Sequence, residues 1–179
     1  MFTSLRKKIG NYLLDKRAKE AAKKRKPQVT NFGAAKTAGV LFTLGNDEEF
    51  KTIKTFLNFL IDKDINVVAL GYYPGKVIPE PYLLRKGFNF YCQEDLNWTY
   101  LPKNSNVDKF IEPSLDLFVD LTLEQHLPTS YVARLSKSTF KVGAKNANEN
   151  AYDLFFDIEK DRSIENLIQQ ITHYVGSFQ

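Results

Sequence analysis

Apolar positions change their spacing along this chain, and each change marks an element. Leu5, Ile9, Tyr12 and Leu13 recur at i, i+4, i+7 and i+8, which puts them on one side of an α-helix. Continuing that stripe gives Lys16 and Glu20, and between Asp15 and Lys26 the apolar side chains are Ala18, Ala21 and Ala22. The first half of this helix is therefore expected to dock on the body or on a partner. Lys16 to Lys26, with little of their own to pack, are expected to project as a cationic rod until Pro27 stops the helix. Residues 1–26 thus read as a basic helical arm, 27–36 as a linker and 37–179 as one domain.

Beyond the linker the period shortens. Ala38 to Leu44 is an apolar run of strand composition, followed by a Gly45-Asn46-Asp47 turn and a helical stripe of Phe50, Ile53, Leu57, Leu60 and Ile61. A second buried strand at 65–71 completes what should be a right-handed βαβ unit with parallel strands. Further strands are predicted at 88–92, 115–121, 139–142 and 152–158. Short helices are expected near 104–108 and from Pro128 to about Ser136. The last stripe, Ile164, Leu167, Ile168, Ile171, Tyr174 and Val175, is the most regular, with Ser163 as N-cap and Gly176 past its end. Strands alternating with helices predict a three-layer α/β sandwich with a mostly parallel sheet.

Charge changes this picture most at the N-terminus. Residues 4–26 hold ten Lys/Arg against Asp15 and Glu20, a net +8, so the formal +4 of the 179-residue chain conceals a body of net −4. Segregation of this kind suits an arm meant for a polyanion or an anionic surface. Arg6, Lys7, Lys8, Lys16, Arg17, Lys19, Lys23, Lys24, Arg25 and Lys26 are the candidate RNA-binding residues. A single cysteine, Cys92, excludes an intrachain disulfide and a thiolate zinc cluster, and two distant histidines argue against a metal site. No stretch approaches the ~20 apolar residues of a spanning helix, and a cytoplasmic location is expected. The apolar positions of the arm leave a membrane-surface helix as a competing use.

Ligands of open α/β sheets bind beyond the carboxyl ends of the strands. That edge should collect Asn46, Tyr72, Tyr73, Lys76, Asp120, Thr122, Gln125, His126 and Asn146 as a pocket. The first turn has one glycine where a dinucleotide-binding turn has three, and Asp47, Glu48 and Glu49 would repel a phosphate there. Asp120 and His126 are the candidates for acid or base chemistry, set against cap and surface roles for the histidine. Tyr72-Tyr73-Pro74-Gly75 reads as turn chemistry. Trp98 and Cys92, among Phe88, Phe90, Tyr91 and Tyr100, read as core or lining. No cofactor is implied.

The Leu5 to Tyr12 opening, the Ala38 to Leu44 strand with its Gly-Asn-Asp-Glu turn, and the segments Asp116 to Leu121 and Ser136 to Gly143 together resemble an uncharacterised family of small bacterial α/β proteins. That resemblance implies a Rossmann-like fold and carries no catalytic residue. Leu115 to Gly143 is also similar to a stretch of heptosyltransferase-type glycosyltransferases, which place their donor between two Rossmann-like domains where this chain has room for one. The leading expectation is a non-enzymatic, RNA-associated protein, bound to the ribosome through its basic arm. The alternative is a domain that binds a small molecule, such as a nucleotide sugar, or is a degenerate transferase. A peripheral membrane-surface protein ranks third.

Overall fold

The computed structural model describes residues 2–145 and 149–178 of the chain, with Phe2 and Glu149 defined by their backbone. Twelve main elements follow in order: α1 (Phe2–Lys24), β1 (Thr37–Thr43), α2 (Asp47–Ile61), β2 (Asn66–Tyr73), α3 (Glu80–Leu83), β3 (Phe88–Cys92), α4 (Ser105–Ile111), β4 (Leu117–Asp120), α5 (Leu127–Leu135), β5 (Phe140–Ala144), β6 (Leu154–Phe156) and α6 (Ile164–Ser177). The six strands form one sheet in the order β3-β2-β1-β4-β5-β6, every pairing parallel. A parallel sheet needs helices on both faces, and the alternation of side chains along each strand supplies two cores. Val40, Phe42, Val119 and Val142 turn to the face covered by α2 and α6. Leu41, Leu70 and Phe118 turn to the face covered by α4, α5 and α1. The three-layer Rossmann-like sandwich expected from the sequence is therefore present.

Two strands are shorter than expected. The apolar run 115–121 pairs over Leu117–Asp120, and the predicted strand 152–158 pairs over Leu154–Phe156. In the second case Tyr152 leaves the ladder and lies across Gly143, where a Cβ would stand 2.8 Å from its ring. Gly143 is thus the residue that lets this tyrosine reach over β5 toward β4.

The N-terminal helix differs more. Expected to dock by Leu5, Ile9, Tyr12 and Leu13, α1 instead buries Gly10, Leu14 and Ala18, while Leu5 and Tyr12 stay 56% and 69% exposed. Gly10, Leu14 and Ala18 follow at i, i+4 and i+8, so they do share a helix face, but small side chains conceal it from a hydrophobicity count. A Cβ on Gly10 would collide with the Thr99 carbonyl, so close approach of helix and loop requires glycine there. The second half of α1 does not project as a free rod. Ala18 is buried, Asp15 pairs with Arg134 of α5 at 2.7 Å, and Arg17 donates to the Tyr131 hydroxyl at 3.4 Å.

Arg25 closes the docking just beyond α1. Its guanidinium makes a two-pronged pair with Asp153 and donates to the Ser138 and Thr139 carbonyls at 2.6 and 2.8 Å. The segment 27–36 is also held: Gln28 N donates to Thr139 O, and Phe32 packs edge-on against Phe59 at 5.4 Å. Among the described residues, no helix is long and apolar enough to cross a membrane.

Candidate functional site

The chain turns from β1 toward β2 on one side and toward β4 on the other, so their carboxyl ends open a crevice of the kind that takes ligands in such sheets. The usual phosphate position in that crevice, at the N-terminus of α2, is filled by the protein itself. Asn46 caps the helix by accepting from Glu49 N at 2.9 Å, and the Glu49 carboxylate folds back toward Asn46 N at 3.4 Å. That carboxylate also occupies the space over Gly45 where a side chain or ligand would come. Asn46, expected in the pocket, is thus a cap, and the helix N-terminus already has its anion.

Asp120, at the end of β4, is buried at 1% exposure and accepts from Thr122 N at 2.8 Å and Tyr152 Oη at 2.7 Å. Burial raises its pKa to about 6, against the lowering effect of the Thr122 and Tyr152 hydrogen bonds. The folded state then holds a proton more tightly than the unfolded state between about pH 4 and 6, so this group's contribution to stability falls as pH rises through that window, by up to about 3 kcal/mol. Asp120→Asn keeps the acceptor for Thr122 N and removes the titration. Chemical denaturation from pH 4 to 7 should show the variant with a flatter profile and greater stability than wild type at pH 7, and identical profiles would contradict this assignment.

His126 sits at a different level. It is the N-cap residue of α5, its carbonyl accepting from Thr129 Oγ1 and Ser130 N. Its ring packs against Tyr72 at 5.6 Å, and Nε2 lies 3.8 Å from Glu124. The imidazole lines a cavity of about 650 Å³ with Arg6, Lys7, Tyr72, Tyr100 and Gln125, so α1 supplies one wall of the strand-exit pocket. Asp120 and Thr122 lie beneath the surface, bonded to each other. Tyr73 turns to the α2/α6 core, and the exposed Lys76 accepts the Cys92 thiol at its carbonyl, 2.8 Å away. The turn after Tyr73 is fixed by Gln93, whose amide donates to Pro74 O. Asn146 lies outside the described residues.

Cys92 is buried as expected, and desolvation pushes its thiol up, away from nucleophile chemistry. Trp98, read as core or lining, is 61% exposed. It stands in a tight loop in which Asn97 Oδ1 accepts from Thr99 N, Thr99 Oγ1 and Leu101 N, and its carbonyl accepts from Arg6. Among the described residues no cluster of three or more His, Cys, Asp or Glu could hold a metal ion.

The ten basic residues of the N-terminal segment divide by orientation. Arg6 and Arg25 are turned inward, Arg6 donating to Trp98 O and lying 4.9 Å from the centre of the Tyr100 ring. Lys7, Lys8, Lys16, Arg17, Lys19, Lys23, Lys24 and Lys26 are exposed. Opposite the buried Gly10-Leu14-Ala18 line, helical spacing places Lys8, Tyr12, Lys16, Lys19 and Lys23 in one outward row, with steps of about 4.5–6 Å along the axis. Within that row the Lys23 to Glu20 contact at 2.9 Å is an exposed pair of little energetic weight.

The roles of two residues escaped sequence reading. Gly10 carries no apolar signal, although a glycine inside an otherwise helical stretch hints at close approach. Lys141 is 2% exposed in the middle of β5, where the alternation of Phe140, Val142 and Ala144 could have marked it as facing the opposite core.

No curated protein and no solved structure matches this chain significantly. A family model matches residues 6–178, which takes in most of α1 and the whole sheet, and the chain belongs to DUF6913, a family of unknown function.

Proposed function

We propose that this is a non-enzymatic, RNA-associated protein that binds the ribosome through the outward face of α1 while the α/β body holds that helix rigid. The observation that carries this reading is the two-sidedness of α1: Gly10, Leu14 and Ala18 pin one side to the body, and Lys8, Lys16, Lys19 and Lys23 stand on the other with Tyr12 among them. A docked helix need not lose its conformational freedom on binding, so cations on it meet a polyanion at reduced entropic cost. Such contacts position the protein on a phosphate backbone without reading sequence. A cytoplasmic, bacterial setting fits this reading. The membrane use is supported less, because Leu14 is buried and Leu13 half-buried against the body, leaving Leu5 and Tyr12 as the exposed large apolar side chains described on α1. Sedimentation of the full chain with purified ribosomes at low salt tests the proposal; a protein that stays in the supernatant contradicts it.

A second reading rests on the strand-exit cavity. Arg6, Lys7 and the N-terminus of α5 converge on its 650 Å³ with Tyr72 and Tyr100, a combination that suits the phosphates and ring of a nucleotide or nucleotide sugar. The segment with glycosyltransferase likeness, Leu115 to Gly143, forms β4, α5 and β5 and so includes that helix N-terminus. A ligand of this kind should raise Tm by mass action in a panel of nucleotides and nucleotide sugars, with the rise reduced in His126→Ala. Absence of any shift across the panel would remove this reading.

A further inference from the structure

Lys141 points from β5 into the layer between the sheet and α1, and it is a lysine buried at 2% exposure. Its Nζ donates to the Ala133 carbonyl at 2.8 Å, one of the last acceptors of α5. That contact satisfies a carbonyl at a helix C-terminus, where a cation is favoured. Lys141 also lines a cavity of about 390 Å³ that Ala18, Lys19, Ala21 and Ala22 of α1 wall on one side. Lys19, Arg25, Arg134, Ser136 and Asn150 line the same cavity, so four cations and two neutral hydrogen-bonding side chains converge on it, and no acid lines it among the described residues.

The charges around this cavity do not balance. Arg25 is paired with Asp153 and Arg134 with Asp15, both acids standing outside the lining. No ion pair holds Lys19 or Lys141 among the described residues. Burial holds the Lys141 ammonium down to about pKa 7, with Arg25 pushing the same way and Asp153 opposing. A buried ammonium without a counter-ion is destabilising unless an anion joins it.

We propose that the cavity between α1 and β5 is a binding site for a small phosphorylated molecule whose phosphate oxygens take hydrogen bonds from Lys141 and Lys19. Lys141 anchors the anion from below, Lys19 closes over it from α1, and Asn150 offers a neutral donor at the side, while the Ser136 hydroxyl is engaged with Ser138. Its volume is at the lower end of small-ligand cavities and exceeds what a bare phosphate fills. This site is separate from the strand-exit cavity, with which it shares no lining residue; Lys19 at its rim belongs also to the outward row of α1, whereas Lys141 beneath it does not.

The test is thermal unfolding of the full chain with glycerol 3-phosphate, inorganic phosphate, glycerol or potassium chloride at matched ionic strength. At a hundredfold excess over Kd, glycerol 3-phosphate should raise Tm by about 5 °C or more. Inorganic phosphate should act more weakly, and glycerol and chloride should not act. Equal shifts with the ester and with inorganic phosphate would overturn the phosphorylated-molecule assignment in favour of the free ion. Lys141→Met preserves the side chain's length and should abolish the shift, and Lys19→Glu at the exposed rim should do so without touching the core, which covers the case of a Lys141 variant that does not fold.

Between pH 7 and 9 the ester stays a dianion while Lys141 loses its proton. Lys19 from α1, Arg25 beyond it, Arg134 from α5 and Asp153 before β6 are the charged groups facing it. The ester's Tm shift should therefore shrink over that range. No shift above the chloride control, or the same shift in wild type and in both variants, would overturn the site.

Discussion

Leu14→Ala should lower the unfolding free energy by about 2–5 kcal/mol, because the side chain is 1% exposed and its removal leaves a cavity between α1 and the α4/α5 core. The neighbouring Leu5→Ala removes as many carbon atoms from the same helix, and should change stability by less than about 0.5 kcal/mol because Leu5 is 56% exposed. Equilibrium denaturation of the two variants separates the docking face seen here from the Leu5-Ile9-Tyr12-Leu13 face that hydrophobic spacing predicts. A larger loss for Leu5→Ala than for Leu14→Ala would place the helix on its other side. Gly10→Val supplies an independent version, since its Cβ collides with backbone at Thr99 and cannot be relieved by a rotamer change. That variant should release the N-terminal half of α1 and increase its proteolysis under native conditions.

The second large effect concerns charge. Reversing Lys8, Lys16, Lys19 and Lys23 to glutamate changes exposed side chains only and should leave the fold intact. It should weaken ribosome binding by roughly two orders of magnitude at low salt, because each phosphate contact contributes counterion release. Reversing Lys51, Lys54, Lys103 and Lys109, which are also exposed but belong to other segments than α1, makes the same net-charge change. This control should cost far less affinity. If both sets weaken binding alike, net charge rather than the α1 row governs association.

The layered architecture was legible because burial on both faces of a parallel sheet writes itself as continuous apolar runs. Val40, Leu41 and Phe42 show this, and so do Leu117, Phe118 and Val119. Helix signals held where chemistry is local: Ser163 accepts from Asn166 N as a cap, and the acids at Asp47 to Glu49 sit in the first turn of α2. What the sequence concealed depends on contacts between segments distant in the chain. The docking of α1 rests on Gly10 against Thr99, Ala18 in the core and Arg25 on Asp153, and none of these pairs leaves a periodic trace.

The site was legible to a similar depth. Tyr72, Gln125 and His126 do line the strand-exit cavity, but the arm residues Arg6 and Lys7 that complete it belong to an element whose seat on the body was not predictable. Asp120 was found as a strand-exit carboxylate, whereas its burial under Tyr152 depends on Gly143. Lys141 was read as part of a strand. A lysine between apolar neighbours on a pleated strand is ordinarily solvent-facing, and here it is α1 that covers it.

The most direct test of the central claim is the salt dependence of ribosome binding, measured by sedimentation between about 50 and 200 mM salt for wild type and for the Lys8/Lys16/Lys19/Lys23 reversal. The account predicts a steep linear fall of log Kobs with log salt for wild type, and a slope shallower by roughly three for the variant. Wild-type binding that is insensitive to salt, or a slope unchanged by the four reversals, would contradict it.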